Sequence, residues 1–421
     1  MSETPAPLLR ALAPTAVTNA IGRRRFLAGL GAAAVAPILA ACGGNSDSAQ
    51  SSPPSTSGGA SSAQSSPPST SGGASTNGGA SSATPAALES ALSIYTWGAY
   101  DDPKTFTSFT SASGPAVTID SYSSNQEMIA KLVAASGTSG YDIVVPTGPY
   151  VPQMISNKLL MTLDHSKLPN LSTVDPQFLG RDWDPQNQYS VCKDWGTTGF
   201  VYDTTKIKRP LTTWSDFLDA AQHEAAGSTS VLDVPEDLLG MYFWANGIDW
   251  NTSSATDLKA AQEYLTSKIA PHIKAFDSYP GSGGAMPKGT YTLMQAWNGD
   301  ARQGIEAAKN PSQYKWVLPG PATELWMDNW SIAANAPHPN AAHAFINYVL
   351  DTKNSLREVQ FMGYNSGIKG IEPLAIAAKT TNLDMIFFTP AQVATMKTGT
   401  INESTQARVT IMSAVKAAAA A

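Results

Sequence analysis

The sequence predicts an α/β protein of two domains carried behind a long non-globular leader. Three observations point there. Residues 43–87 are mostly Ser, Gly, Pro, Ala and Thr, with almost no apolar bulk. More than 330 residues follow, enough for two domains. The first of these alternate short apolar runs with stretches of helical spacing, the pattern of βα units.

Taken in order, residues 92–96 and 117–120 read as short apolar strands. Residues 125–135 carry Met128, Ile129, Leu132 and Val133 at helical spacing. Residues 141–145 read as a third strand, and residues 150–160 begin as a helix. Units of this length imply a mainly parallel sheet with helices on both faces. Further helices are expected over 214–223, 237–245, 256–269, 301–309, 340–350, 354–361, 391–397 and near 406–419. Strands are expected over 195–202, 292–297, 315–318 and 330–334.

The leader reads as an address. Arg23-Arg24-Arg25-Phe26-Leu27 is a twin-arginine export signature, with Arg23 and Arg24 as its pair. The apolar stretch from Phe26 to about Ala41 is shorter than the roughly 20 residues a spanning helix needs. It closes on Leu39-Ala40-Ala41-Cys42, which reads as a lipobox that places a lipid on Cys42. The plainer alternative is a free cysteine after an ordinary signal helix. Residues 1–41 then form the signal peptide, and residues 42–87 a lipidated cysteine with a disordered tether. Within the tether the 14 residues from Ala49 to Ser62 recur from Ala63, changed only at Thr76. If Cys42 is lipidated, Cys192 has no disulfide partner, and it is read as a buried small apolar residue. Without residues 1–41 the chain keeps 23 of its 27 bases and 32 of its 33 acids, a formal charge of −9. An acidic body disfavours nucleic acid and mildly attracts cations.

No catalytic constellation is visible. The five histidines are scattered, and neither H-E-x-x-H, G-x-S-x-G nor C-x-x-C occurs. Gly281-Ser282-Gly283-Gly284 lacks the Lys-Ser/Thr of a phosphate loop and reads as a flexible turn.

What the body does have is aromatics beside acids at expected strand ends. These are Tyr95-Thr96-Trp97-Gly98-Ala99-Tyr100, Trp297-Asn298-Gly299-Asp300 and Trp326-Met327-Asp328. At these residues the chain resembles the spermidine/putrescine-binding proteins of bacterial ABC importers. Ser123–Met128, Tyr141–Thr147, Asp164–Asn170 with Asp175-Pro176, Trp195–Gly199 and Phe361–Tyr364 continue the resemblance in order. It implies a two-lobed periplasmic-binding-protein-like fold of type II, each lobe a mainly parallel sheet flanked by helices, with ligand in the cleft between them. Lobe 1 would take about residues 90–197 and 327–372, lobe 2 about 198–326 and 373–421. The chain would cross near Thr197 and Met327. An exported receptor, working with membrane permease subunits and without cofactor or metal, is the function implied.

The resemblance also implies the cleft residues. An ammonium loses several kcal/mol of hydration on burial, so carboxylates must replace the water. Aromatic faces add roughly 0.5–2 kcal/mol each. Trp297 and Trp326 match the family's paired tryptophans, Trp97 its first-loop tryptophan, and Tyr364 its late tyrosine. Tyr100 and Thr147 lie within the matching first-loop and Val-Val-Pro-Thr segments. Asp328, Asp300 and Asp237 match its acids. Taken alone, a strand-end tryptophan is also a core residue, and Asp237 also suits a helix N-terminus.

Departures bear on the ligand. Gly98 and Ala99 replace a polar and an acidic residue, Val234 replaces a second acid, and Pro149 replaces an aromatic. One end of the cleft is thus expected to keep Asp300 with Asp328, and the far end to have lost charge. Lys193 and Asp194 appear where the family tends to be uncharged. Putrescine, spermidine or a related amine is the leading ligand. An ω-amino acid, with Lys193 answering its carboxylate, is the alternative. A surface-anchored enzyme or adhesin on the same scaffold is the reading from another class.

Overall fold

The computed structural model describes residues 88–136, 139–277, 279 and 281–421. Arg23, Arg24, Cys42 and the tether up to residue 87 lie outside the described residues.

The first sheet begins as the sequence suggests. β1 (Ala91–Trp97) runs parallel to β2 (Ala116–Tyr122) and to β3 (Ile143–Val144), with Ile94 opposite Ile119 and Ile143. Between β1 and β2 lies α1 (Pro103–Ser113), which periodicity did not reveal because Ser and Thr fill it. It forms because Asp102 accepts from the Lys104 amide, Pro103 opens the first turn, and Phe109 is buried. α2 (Asn125–Ala134) starts where Ser124 accepts from the Glu127 amide. After β3, a 3-10 turn at Gly148–Tyr150 leads into α3 (Val151–Ser156), shorter than the expected helix.

The expected strand over 195–202 is two strands. β4 (Val191–Gly196) lies in the first sheet and β5 (Thr198–Asp203) in the second. Thr197 between them donates its amide to Asn298 Oδ1 at 2.9 Å and its hydroxyl to the Glu324 carbonyl at 2.6 Å. Gly196 permits this: a Cβ there would lie 2.4 Å from both Asn298 Oδ1 and the Trp326 ring.

The second sheet follows. α4 (Trp214–Gln222) opens with a Thr213/Asp216 capping box. β6 (Thr229–Leu232), α5 (Pro235–Ala245), α6 (Ala255–Tyr264) and β7 (Ile273–Asp277) come next. α6 runs on into a π-helical turn, Leu265–Ile269. β8 (Leu293–Trp297), α7 (Asn298–Ala307) and β9 (Tyr314–Val317) complete it. β6 escaped notice because it is short and buried on both faces, leaving no alternation to read.

The chain then returns through β10 (Thr323–Glu324) to β11 (Trp326–Ile332), which is buried throughout and starts four residues before the expected strand. Asp328 and Asn329, both weak strand formers, interrupt the apolar run at its start. α8 (Pro339–Val349), α9 (Thr352–Met362) and α10 (Ile371–Ala377) follow. The helix expected over 391–397 is a single turn, α11 (Pro390–Val393), and then β12 (Met396–Lys397), which pairs with β10. α12 (Thr405–Ala419) ends the chain.

The two sheets share one plan, β2-β1-β3-β11-β4 and β7-β6-β8-β5-β9. In each, four strands point one way and the fourth in order is reversed: β11 in the first, β5 in the second. Each reversed strand is the one by which the chain enters from the other sheet. The first core gathers Ile94, Phe109 and Phe345, and also Ile386 and Met396. The second gathers Phe200, Trp214 and Phe217, with Ile411, Met412 and Val415 of α12. The polypeptide thus passes between sheets at Thr197 and Leu325, and again between Met396 and α12. Among the described residues no helix is long and apolar enough to cross a membrane.

Candidate functional site

The side chains singled out from sequence stand at corresponding strand ends of the two sheets, the ends where open α/β sheets bind ligands. Trp97 and Tyr100 follow β1, Thr147 follows β3, and Asp328 is on β11. Asp237 follows β6, while Trp297 and Asp300 lie where β8 becomes α7.

Asp328 is the best-held acid. Thr147 Oγ1 donates to its Oδ1 at 2.7 Å and Tyr100 Oη reaches its Oδ2 at 2.9 Å. Tyr100 Oη also lies 2.5 Å from Asp194, which sits opposite Asp328 on β4. Behind them Lys193 Nζ is 3.0 Å from Asp194 and 3.1 Å from Asp101, and 3.8 Å above the centre of the Tyr100 ring. Its side chain is only 2% exposed. Lys193 is therefore spent on two carboxylates of its own protein, which removes the reading that it answers a ligand carboxylate. Burial, then Asp194, pushes Asp328 up to about 7 despite its two hydroxyls and Lys193. Burial, then Asp101, pushes nearby Glu358 up to about 7 as well. Glu358 caps the start of α1, 3.0 Å from the Asp102 amide.

Asp300 forms a second point. Tyr364 Oη donates to its Oδ2, and burial followed by the Asp277 charge lifts it to about 6. Tyr364 packs edge-on against Trp326, ring centres 4.7 Å apart, and 6.0 Å from the Tyr100 ring. Gly299 makes this fit possible, since a Cβ would come 2.5 Å from the Tyr364 ring. Asp300 and Asp328 are thus each held by a tyrosine, Tyr364 and Tyr100, whose ring centres are 6.0 Å apart. Trp297 is half-buried, and Trp97 leans on Tyr122 with ring centres 4.7 Å apart.

Asp237 forms the third point, and here the far end differs from expectation. Thr198 Oγ1 lies 2.7 Å from Asp237 Oδ1 and 2.6 Å from Glu324 Oε2. The two carboxyls therefore stand close enough to act on each other's charge. Burial lifts Asp237 to about 6, and burial with the Asp237 charge lifts Glu324 well above the carboxylate range. The loss of acid at Val234 is thus offset by Glu324 on the crossing segment. At the other departures, a Gly98 Cβ would lie 2.5 Å from Tyr279 Oη, and Tyr150 beside Pro149 accepts from Gln126 at 2.9 Å.

Asp101, Glu358, Thr198 and Glu324 went unnoticed in the sequence. Glu358 carried a signal: it falls beside Ser355, Val359 and Met362 on the buried stripe of α9. Cys192 is buried and free, its thiol pushed up by burial, as an inert core residue should be. Among the described residues no group of three or more His, Cys, Asp or Glu is arranged to hold a metal ion.

Against known proteins, the profile of the bacterial extracellular solute-binding protein family matches residues 104–385. The chain belongs to this family. Among curated members it is similar to the spermidine/putrescine-binding periplasmic protein 1 of Haemophilus influenzae, 31% identical over 280 residues, 66% of this chain and 76% of that one. It is similar also to the putrescine/agmatine-binding protein of Pseudomonas aeruginosa, 29% identical over 310 residues, 70% of this chain and 83% of that one. Of solved structures, a spermidine/putrescine ABC transporter substrate-binding protein from Streptococcus pneumoniae overlays with a TM-score of 0.67 at 26% identity, covering 79% of this chain and all of that one. These relatives are named for polyamine binding, and the family is one of solute-binding proteins rather than of enzymes.

Proposed function

We propose that this protein is the exported receptor of an ABC importer for a polyamine or related small amine, putrescine- or spermidine-like. One observation carries the reading. Asp328, Asp300 and Asp237 are desolvated beside tryptophans or tyrosines, and among the described residues none of the three has a salt bridge. A buried carboxylate without a cation is costly, and a ligand ammonium removes that cost. Lys193 shows the same chemistry inside the protein: an ammonium between two carboxylates over an aromatic face.

The ligand set is Trp97, Tyr100, Thr147, Asp237, Trp297, Asp300, Trp326, Asp328 and Tyr364, with Lys193 and Asp194 acting from behind. The lobes are residues 90–197 with 327–372, and 198–326 with the C-terminal part of 373–421: Ile386 and Met396 pack in the first core, so the last crossing falls after Met396 rather than near residue 372. The protein binds without turnover, passes its ligand to permease subunits, and is held at the outer face of the cytoplasmic membrane by a lipid on Cys42. Support for the anchor is the Leu39–Cys42 motif behind the twin arginines.

Titration calorimetry with putrescine, spermidine, 5-aminovalerate and an uncharged diol tests the reading. Putrescine or spermidine should bind and be recovered unchanged, and the diol should not bind. Equal binding of the diol, or none of either amine, overturns it.

A further inference from the structure

The Asp237 corner contains one more acid than the matched family positions supply. Glu324 stands on β10, two residues before Trp326, with its backbone carbonyl holding the Thr197 hydroxyl at 2.6 Å. Its carboxyl shares the Thr198 hydroxyl with Asp237, at 2.6 and 2.7 Å. A threonine hydroxyl has a single proton to donate. Two carboxylates cannot both receive it unless one of them is itself protonated. The surroundings offer no better answer. Glu236 on α5 adds further negative charge, and the Tyr150 phenol of the first lobe lies within reach of the fields of Glu236 and Glu324. Of the nearby cations, Lys397 meets Glu324 only through the β10–β12 backbone and is itself exposed, while Arg408 of α12 lies toward Glu236 and bonds the Trp250 and Thr252 carbonyls.

We infer that Glu324 is a specificity-determining residue of the cleft, sharing one proton with Asp237 in the empty protein and giving it up when an ammonium docks. The inference rests on the amine reading above. Proton and ammonium are alternatives at this corner: the ammonium donates to both carboxylates, and the displaced proton leaves to solvent. Because Glu324 and Thr198 lie on the two crossing segments and Asp237 on α5, the same ammonium ties both crossings to α5. A ligand carrying an ammonium for this corner besides the one at Asp328 is the class selected.

The test is calorimetry of the purified full-length protein with putrescine near neutral pH, in two buffers of different ionisation enthalpy, for the parent and Glu324→Gln. Glu324→Ala serves the same purpose if the glutamine variant does not fold. The parent should release protons on binding. The variant should release fewer and bind at least about tenfold more weakly. A variant that matches the parent in both affinity and proton count overturns the inference and leaves the amine reading intact. A parent that binds neither putrescine nor spermidine overturns both.

Discussion

The two lobes meet the same problem, a buried acid at the mouth of a sheet, with the same strand plan and opposite chemistry. In the first lobe the reversed strand β11 supplies the acid, Asp328, and the loops supply hydroxyls from Thr147 and Tyr100. In the second the reversed strand β5 supplies the hydroxyl, Thr198, and the acids come from α5 and the returning segment. The first lobe also owns a cation, Lys193, whereas at the second corner among the described residues no ion pair joins Asp237 or Glu324. A resident cation fixes geometry; a shared proton leaves a place to be taken. The first lobe is therefore built to hold its acids rigidly in the absence of ligand, and the second to change state when ligand arrives.

Removing the resident cation should break this contrast most severely. Lys193→Met leaves Asp101 and Asp194 buried without their partner, and should cost about 3–5 kcal/mol of stability. Urea unfolding of the empty protein measures it, and an unchanged midpoint would show that the lysine is not what holds the first lobe.

Removing the ligand's partner comes next. Asp328→Asn should leave the fold intact and weaken putrescine by about 2–5 kcal/mol, roughly 30- to several-thousand-fold. Asp233→Asn is the control, because Asp233 pairs with Lys416 of α12 near the surface and should change binding little. Wild-type affinity in Asp328→Asn would sink the assignment of the first lobe as an ammonium site.

The mildest probe is pH, since its effect is spread over several groups. Asp328, Glu358, Asp300 and Asp237 are all raised, to between about 6 and about 7, from the usual carboxylate range. Each binds its proton more tightly folded than unfolded. The empty protein is therefore expected to lose stability as pH rises through that window, and the melting shift given by putrescine is expected to grow. Scans at pH 5 and pH 8, with and without putrescine, read both trends. A ligand shift larger at the lower pH would contradict the proton-for-ammonium exchange.

Much of this was legible in the chain itself. The mainly parallel sheets follow from alternating βα units, and the proposed cleft residues were those the family resemblance implied. What escaped had physical reasons. α1 depends on the Asp102 cap and on Phe109 rather than on propensity, and β6 is buried on both faces and so shows no period. The β4–β5 break at Thr197 is set by contacts with Asn298 and Glu324, residues more than a hundred positions away. Nothing local to Glu324 tells that Thr198 and Asp237 will meet it, since both lie more than 80 positions before it in the chain.

The crossing deserves a mechanical reading. β5 and β10 are joined where the Thr323 hydroxyl, 2.5 Å from the Thr198 carbonyl, and the Thr197 hydroxyl tie the two segments together, and β12 is laid alongside β10. Two free strings between two plates allow them to bend, shear and twist. A ribbon three chains wide resists shear and twist, and yields mainly to bending across its width. The relative motion of the plates is then described by one angle. A partner that touches both plates would then have one angle to read rather than three.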